Sequence, residues 1–155
     1  MRVKLAYLVS TWFGCGYAPK APGTAGSLAA LAIGIVLHEY CGFNQWQFAV
    51  LAAVTLIPAV WAAGVTAIAS GRKDPQFVVI DEVIGLWIAM AGACTYNWKS
   101  YLGAFALFRL FDIWKPPPVR QLEAHPGGWG INQDDVMAGI YGAVVLFVAG
   151  RFHLY

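Results

Sequence analysis

From Tyr40 to Gly71 the chain runs for 32 residues without one that is charged at neutral pH. A helix crossing the ~30 Å hydrocarbon layer of a bilayer needs about 20 apolar residues, so a run of this length points to a membrane span. Trp46 to Ser70 meets the requirement alone, and Pro58 inside it predicts a kink. Ala21 to His38, Val83 to Trp98 and Val136 to Gly150 are further uncharged runs, and Tyr101 to Trp114 is apolar but carries Arg109 and Asp112. These shorter runs are rich in Gly and Ala, which let helices pack closely. Only 12% of residues are Asp, Glu, Lys or Arg, about half the ~25% usual in soluble domains. Mean hydropathy is +0.60. The expected fold is all-α: one domain over residues 1–155, a polytopic membrane bundle of about five helical segments with four or five crossings.

The net charge of +2 is too small, and the basic residues too scattered, for a nucleic-acid partner. Cys15, Cys41 and Cys94 form no CxxC pair, which argues against a disulfide framework or a zinc site. The N-terminal stretch carries Arg2 and Lys4, but Thr11 and Gly14 break its apolar run and no small-residue cleavage pattern follows. It does not resemble a signal peptide. Leu5, Leu8, Val9 and Trp12 recur at helical spacing, which suits either a helix on the membrane surface or a core-facing first helix.

If the N-terminus is cytoplasmic and five segments alternate, Arg2, Lys4, Lys20, Arg72, Lys73, Lys115 and Arg120 fall inside, and only Lys99 and Arg151 outside. That bias agrees with the positive-inside rule. The same assignment puts every acidic residue except Glu39 on the inner side.

Asp81 and Glu82 interrupt the apolar sequence QFVVIDEVIGLWIAM, where an ionised acid at the bilayer centre would cost roughly 2.5 to 3.5 kcal/mol. They mark either a functional site or the interfacial start of a helix, where acids favour the positive end of the dipole. Arg109 and Asp112 are three apart, hence on one helical face, and would pair. Lys115 follows, and Pro116, Pro117 and Pro118 then end the helix with an expected stiff, extended exit that holds Lys115 and Arg120. In HPGGWGINQDDVMAGIYG, Gly127, Gly128 and Gly130 suggest a turn whose amides face an anion. Asn132, Asp134 or Asp135 would cap the helix after it. Capping needs one acid, and two adjacent carboxylates repel unless a cation lies between them. Near the N-terminus, Lys20, a Pro-Gly turn, Thr24 and Ser27 precede an apolar helix, with Thr24 as its expected N-cap and the helix start as a phosphate contact.

Together, Asp81, Glu82, Asp112, Asp134 and Asp135 offer hard oxygen ligands without His or Cys, which suits Mg²⁺. Lys20, Arg109, Lys115 and Arg120 beside them suit a phosphorylated substrate. No cysteine is followed six residues later by arginine, and no DxDx[TV] motif is present. His38, His125 and His153 do not make the pattern of a phosphohistidine enzyme; His125 reads as a loop residue. Asp74 and Glu123 are expected to be solvated loop charges.

Four blocks, FGCGYAPKAPGTAGSLAA, VVIDEVIGLWIAM, FRLFDIWKPPPVRQLE and GGWGINQDDVMAGIYG, resemble the phosphatidylglycerophosphatase A family of bacterial membrane enzymes, in family order and nearly end to end. Pro117 departs from the family pattern, where a larger residue is expected. The resemblance implies Mg²⁺-dependent hydrolysis of phosphatidylglycerophosphate to phosphatidylglycerol and phosphate at the bacterial inner membrane, with the active site facing the cytoplasm. It implies a phospholipid substrate and a bilayer as partners. On it, Glu82, Asp112, Asp134 and Asp135 are the expected metal ligands, with Asp81 as ligand or general base. Lys115 and Arg109 bind the terminal phosphate, with Lys20, Thr24, Ser27 and Arg120 as lesser contacts. Water attack is favoured, and a phospho-aspartyl intermediate on Asp81 or Asp112 stays open. The alternative function is a small cation carrier or channel subunit using the same intramembrane acids.

Overall fold

The uncharged runs fold as helices whose ends are set by asparagine caps and glycines. A computed structural model describes residues 1–122, 125 and 127–155, so Glu123 lies outside the described residues. Among them there are seven α-helices and no strand: α1 (Arg2–Ser10), α2 (Pro22–Cys41), α3 (Gln45–Ser70), α4 (Ile80–Ala91), α5 (Trp98–Trp114), α6 (Val119–Leu122) and α7 (Gly127–Arg151). A short 3₁₀ turn, Cys15–Tyr17, links α1 to α2. Asn44 accepts from the Gln47 amide at 3.1 Å while the Gln47 side chain accepts from the Asn44 amide at 2.9 Å, a capping box that starts α3. Asn97 and Ser100 repeat it at the start of α5. α2 and α3 end on Gly42 and Gly71, which take φ of 68° and 67°.

Helices α2, α3 and α7 are long and apolar enough to cross a membrane. α4 and α5 have 12 and 17 residues, and at 1.5 Å per residue α4 extends only about 18 Å. Three helices therefore meet the length criterion, where four or five crossings were expected. Uncharged length overstated this region, because the run from Val83 to Trp98 is not one helix: α4 stops at Ala91 and Asn97 caps a new one. α4 leaves the end of the bundle to which α5 returns, and the connection between them lies at the other end, where Gln45 of α3 donates to the Ala93 carbonyl at 2.8 Å.

α4 is the innermost helix, with nine of its 12 residues buried. Gly85 and Gly139 let it approach α7: a Cβ on Gly139 would overlap the Gly85 carbonyl. Trp87 Nε1 donates to the Ala30 carbonyl at 3.1 Å, tying α4 to α2. Phe48, Ile80, Ile84, Leu86, Met90 and Phe108 fill the core around it. α1 packs on α3 through Ala6 and Ser10, whose hydroxyl meets that of Thr66 at 3.0 Å. Leu5 and Leu8 stay exposed while Trp12 lies edge-on to Trp87 at 5.6 Å, so this stretch is outward-facing in part and core-facing in part. The helices carry exposed Val54, Ile57, Ile68, Val144 and Phe147, an apolar skin that suits lipid.

α3 runs as one helix with Pro58 inside it. One local expectation differs from what forms. The three prolines turn tightly instead of extending: the Val119 amide donates to the Pro116 carbonyl at 2.8 Å and α6 begins at once.

Candidate active site

Three helix ends converge on one cavity of about 410 Å³, lined by Ala21, Pro22, Gly23, Asp74, Gln76, Asp81, Glu82, Arg109, Asp112, Lys115, Asp134 and Asp135, among others. Asp81 and Glu82 occupy the first turn of α4, held in place where the Val79 amide donates to the Ser10 carbonyl at 2.8 Å. Arg109 and Asp112 lie one turn apart on α5 and pair at 2.7 Å. Lys115, at the left-handed end of α5 with φ of 49°, donates from Nζ to Asp134 Oδ2 at 2.8 Å. Asp134 and Asp135 come from α7.

The carboxylates of Asp81, Glu82 and Asp135 each offer an oxygen within 4.8 Å of the others. Asp81 is 8% exposed and Asp135 3%. Asp81 Oδ1 and Glu82 Oε2 are buried without a hydrogen-bond partner. Three carboxylates this close, two of them buried and the third half-buried, repel one another unless protons or a cation lie among them. Hard oxygens with open lone pairs are the donor set of Mg²⁺ or a similar divalent ion, so the residues present fit such an ion.

α2 supplies the wall opposite. Its first residue is Pro22, following Ala21 at φ of 48°, with no side-chain cap. By helix geometry the Gly23 and Thr24 amides then have no acceptor within the helix, and they sit at its positive end. Gly23 is needed for this approach: a Cβ there would overlap Glu82 Oε1 and lie 3.3 Å from Arg109 Nη1.

The cavity thus gathers Asp81, Glu82, Arg109, Asp112, Lys115, Asp134 and Asp135. It does not gather the four lesser contacts. Lys20 is exposed ahead of α2, and Arg120 is exposed on α6. Thr24 is half-buried within the first turn of α2; Pro22, pre-set for helix, starts α2 two residues earlier, so Thr24 is not its N-cap. Ser27 is fully buried and donates to the Gly23 carbonyl at 2.8 Å, bracing that turn. Asn132, Asp134 and Asp135 are not caps either, because α7 already begins at Gly127. Of the three glycines there, only Gly127 has positive φ; Gly128 is helical and lies against the Val60 carbonyl of α3.

Some lining was not anticipated. Asp74, expected to be a solvated loop charge, is exposed but at the cavity's rim, and Gln76 lies near it. Its sequence signal is slight, a carboxylate on the short connection that leads into Asp81. A smaller adjoining cavity of about 70 Å³ shares Asp74 and Asp134 and adds Lys73, Gly130 and His125. His125 Nδ1 lies 2.8 Å from Gln133 Oε1, which places this histidine beside the site.

The model of the phosphatidylglycerophosphatase A family matches residues 8–150. A relative from Bacteroides thetaiotaomicron, provisionally named a phosphatidylinositol-3-phosphatase, is 42% identical over 94% of this chain and 93% of its own. Relatives named phosphatidylglycerophosphatase A from Haemophilus influenzae and Escherichia coli are 37% and 34% identical, covering 91% and 94% of this chain and 86% and 83% of theirs. No solved structure matches the chain. The chain belongs to the phosphatidylglycerophosphatase A family and is a phosphatase.

Proposed function

We propose that this member of the phosphatidylglycerophosphatase A family removes the terminal phosphate of phosphatidylglycerophosphate, giving phosphatidylglycerol and inorganic phosphate, with Mg²⁺ among its buried acids. The observation that supports this is the meeting of Asp81, Glu82 and Asp135 with Arg109 and Lys115 in one cavity. A phosphate monoester carries its charge on oxygens that need positive partners as they shift in transfer. Arg109 and Lys115 supply two such partners. Asp112 and Asp134, held to them at 2.7 and 2.8 Å, keep both cations aimed into the cavity. The Gly23 and Thr24 amides add the positive end of α2.

Asp81, Glu82 and Asp135 would hold the divalent ion, which when bound supplies positive charge for the phosphoryl oxygens and orients the group. That set keeps Glu82 and Asp135 of the expected ligands, with Asp81, expected as ligand or general base; Asp112 and Asp134 instead take the part of orienting acids. In the reaction a water oxygen bonds to phosphorus and gives up one proton, the bond from phosphorus to the glycerol oxygen breaks, and that oxygen takes one proton from solvent as it leaves. Asp81, whose Oδ1 is without a hydrogen-bond partner, is the proposed acceptor of the water's proton.

The basic residues at this end of the bundle support a cytoplasmic orientation in the inner membrane. A cation carrier would need acids spread through membrane depth; here the acids named above gather at one end, and the carrier is not supported.

The test is purified protein reconstituted with phosphatidylglycerophosphate and Mg²⁺, then treated with a chelator, with phosphatidylinositol 3-phosphate in parallel. Phosphate release from the first lipid that stops on chelation is expected. Release only from the inositol lipid would move the substrate to the chemistry named for the Bacteroides relative, and release from neither would overturn the proposal.

A further inference from the structure

Beside the cavity, on the seam between α5 and α7, lies a separate groove of about 290 Å³ walled by Phe111, Trp114, Pro117, Tyr141, Val144 and Val145, among others. α5 serves both features. Asp112 and Lys115 face the cavity, while Phe111 and Trp114, each one position earlier and so rotated by about 100°, face the groove. On α7, Tyr141 follows Asp134 by two turns, and Val144 and Val145 lie about 15 to 17 Å further along the axis than Asp134. The groove therefore begins next to the phosphate-binding residues and descends towards the middle of the bundle. Its polar group is at the top, where Tyr141 Oη donates to the Pro117 carbonyl at 2.9 Å. Phe111 meets the Tyr141 ring edge-on at 5.5 Å, and Val144 and Val145 below present only carbon.

We propose that this groove holds one acyl chain of the lipid whose phosphate lies in the cavity. The inference rests on the lipid-phosphatase function proposed above and deepens it. A phosphate ester of a lipid must put its head among charges and its chains in hydrocarbon. The seam offers a place of that kind next to the charged residues: Lys115 of the cavity lies between Trp114 and Pro116 of the groove. A second apolar groove of about 270 Å³ lies between α3, α4 and α7, lined by Ala49, Ala53, Ile88 and Ala91. That groove runs from Ala91 up to Ile84 and Val136, next to Asp135, but none of its lining residues neighbours a cation in sequence, whereas Lys115 sits between Trp114 and Pro116 of the first groove.

The probe is phosphatidylglycerophosphate carrying a diazirine at the end of one acyl chain, in phosphatidylcholine vesicles containing the full-length protein. Label is expected on residues 111–117 and 141–145. Val144→Trp, at a position 55% exposed and so tolerant of bulk, fills the groove and should lower that labelling and raise KM for the long-chain lipid, each about tenfold, a loss of one decade of affinity. kcat should hold, and KM for a dihexanoyl analogue should stay within twofold. Ile57→Trp, lipid-facing on α3 and outside the groove, should change neither. Label spread evenly over the lipid-facing helices, or equal effects of Val144→Trp on long and short chains, would overturn the inference. Groove labelling by a protein that releases no phosphate would keep the groove and remove the phosphatase proposal; release without groove labelling would do the reverse.

Discussion

At the end of the bundle away from the cavity, polar groups find partners within the chain. Asn44 and Asn97 close capping boxes, Gln45 Nε2 donates to the Ala93 carbonyl at 2.8 Å, and Tyr101 Oη donates to Glu39 Oε1 at 3.0 Å. His38 Nδ1 lies 2.7 Å from the Phe43 carbonyl, and its ring lies 4.3 Å from that of Tyr96. At the cavity end, α2 and α4 start without side-chain caps, and Asp81 and Glu82 keep buried oxygens without hydrogen-bond partners. Helix termini and buried acids are expensive to leave unsatisfied, so the contrast separates an end built for stability from one that, on the proposed function, leaves partners for ligands to supply.

The largest expected effect is at the unsatisfied end. Asp81→Asn and Asp135→Asn should each lower phosphate release by about 10²- to 10³-fold or more, the scale of losing one preorganised electrostatic contact. Thermal melts in detergent should show each variant at least as stable as the parent without added metal, since one of three repelling carboxylates is gone. A parent more stable than both would blur the contrast between the ends.

Divalent ion sharpens the comparison next. At a hundredfold excess over Kd, Mg²⁺ should stabilise the parent by about 2.7 kcal/mol through linkage and leave Asp135→Asn nearly unmoved, as read by the shift in melting.

Gly23→Ala pushes a Cβ into Glu82 and should lower kcat/KM about tenfold, equivalent to ~1.4 kcal/mol of transition-state stabilisation, with the melting temperature little changed. Asn97→Ala is the mirror case at the other end: it should cost about 1 kcal/mol of stability, the usual value of a helix cap, with kcat per folded molecule unchanged. The smallest effect is expected for Asp74→Asn, a two- to threefold change in KM, because its exposed charge acts through screening solvent.

The placement of the site was more legible in the sequence than the placement of the helices. Asp81 and Glu82 stand out because charge inside an apolar run is costly enough to need a reason, Asp134 and Asp135 because adjacent carboxylates repel, and Arg109 with Asp112 follows from helical spacing. Helix ends were harder. The run through Gly92 to Asn97 is uncharged, so charge counting merged a buried 12-residue helix with its connection. Thr24 reads as a cap because local chemistry favours threonine there, while Pro22 decides the start through its fixed φ. The glycines before Asn132 signal a turn by composition, yet Gly128 serves close packing on α3, a long-range demand no local pattern carries. Asp74 reaches the rim because the 71–79 connection lines the cavity, with Gln76 and Val78 beside it in the wall, and a single exposed acid gives no sign of that. That Asp134 pairs with Lys115 while Asp81, Glu82 and Asp135 face one another depends on side-chain geometry that spacing does not carry.

The most direct test of the central claim, that acids from α4 and α7 meet to hold a divalent ion for phosphate cleavage, is Mn²⁺ binding followed by electron paramagnetic resonance on the protein in micelles. Saturable Mn²⁺ binding by the parent, displaced by Mg²⁺ and lost in both Asp81→Asn and Asp135→Asn, is the predicted result. Binding that survives both substitutions, or no binding by a parent that still releases phosphate, would contradict it.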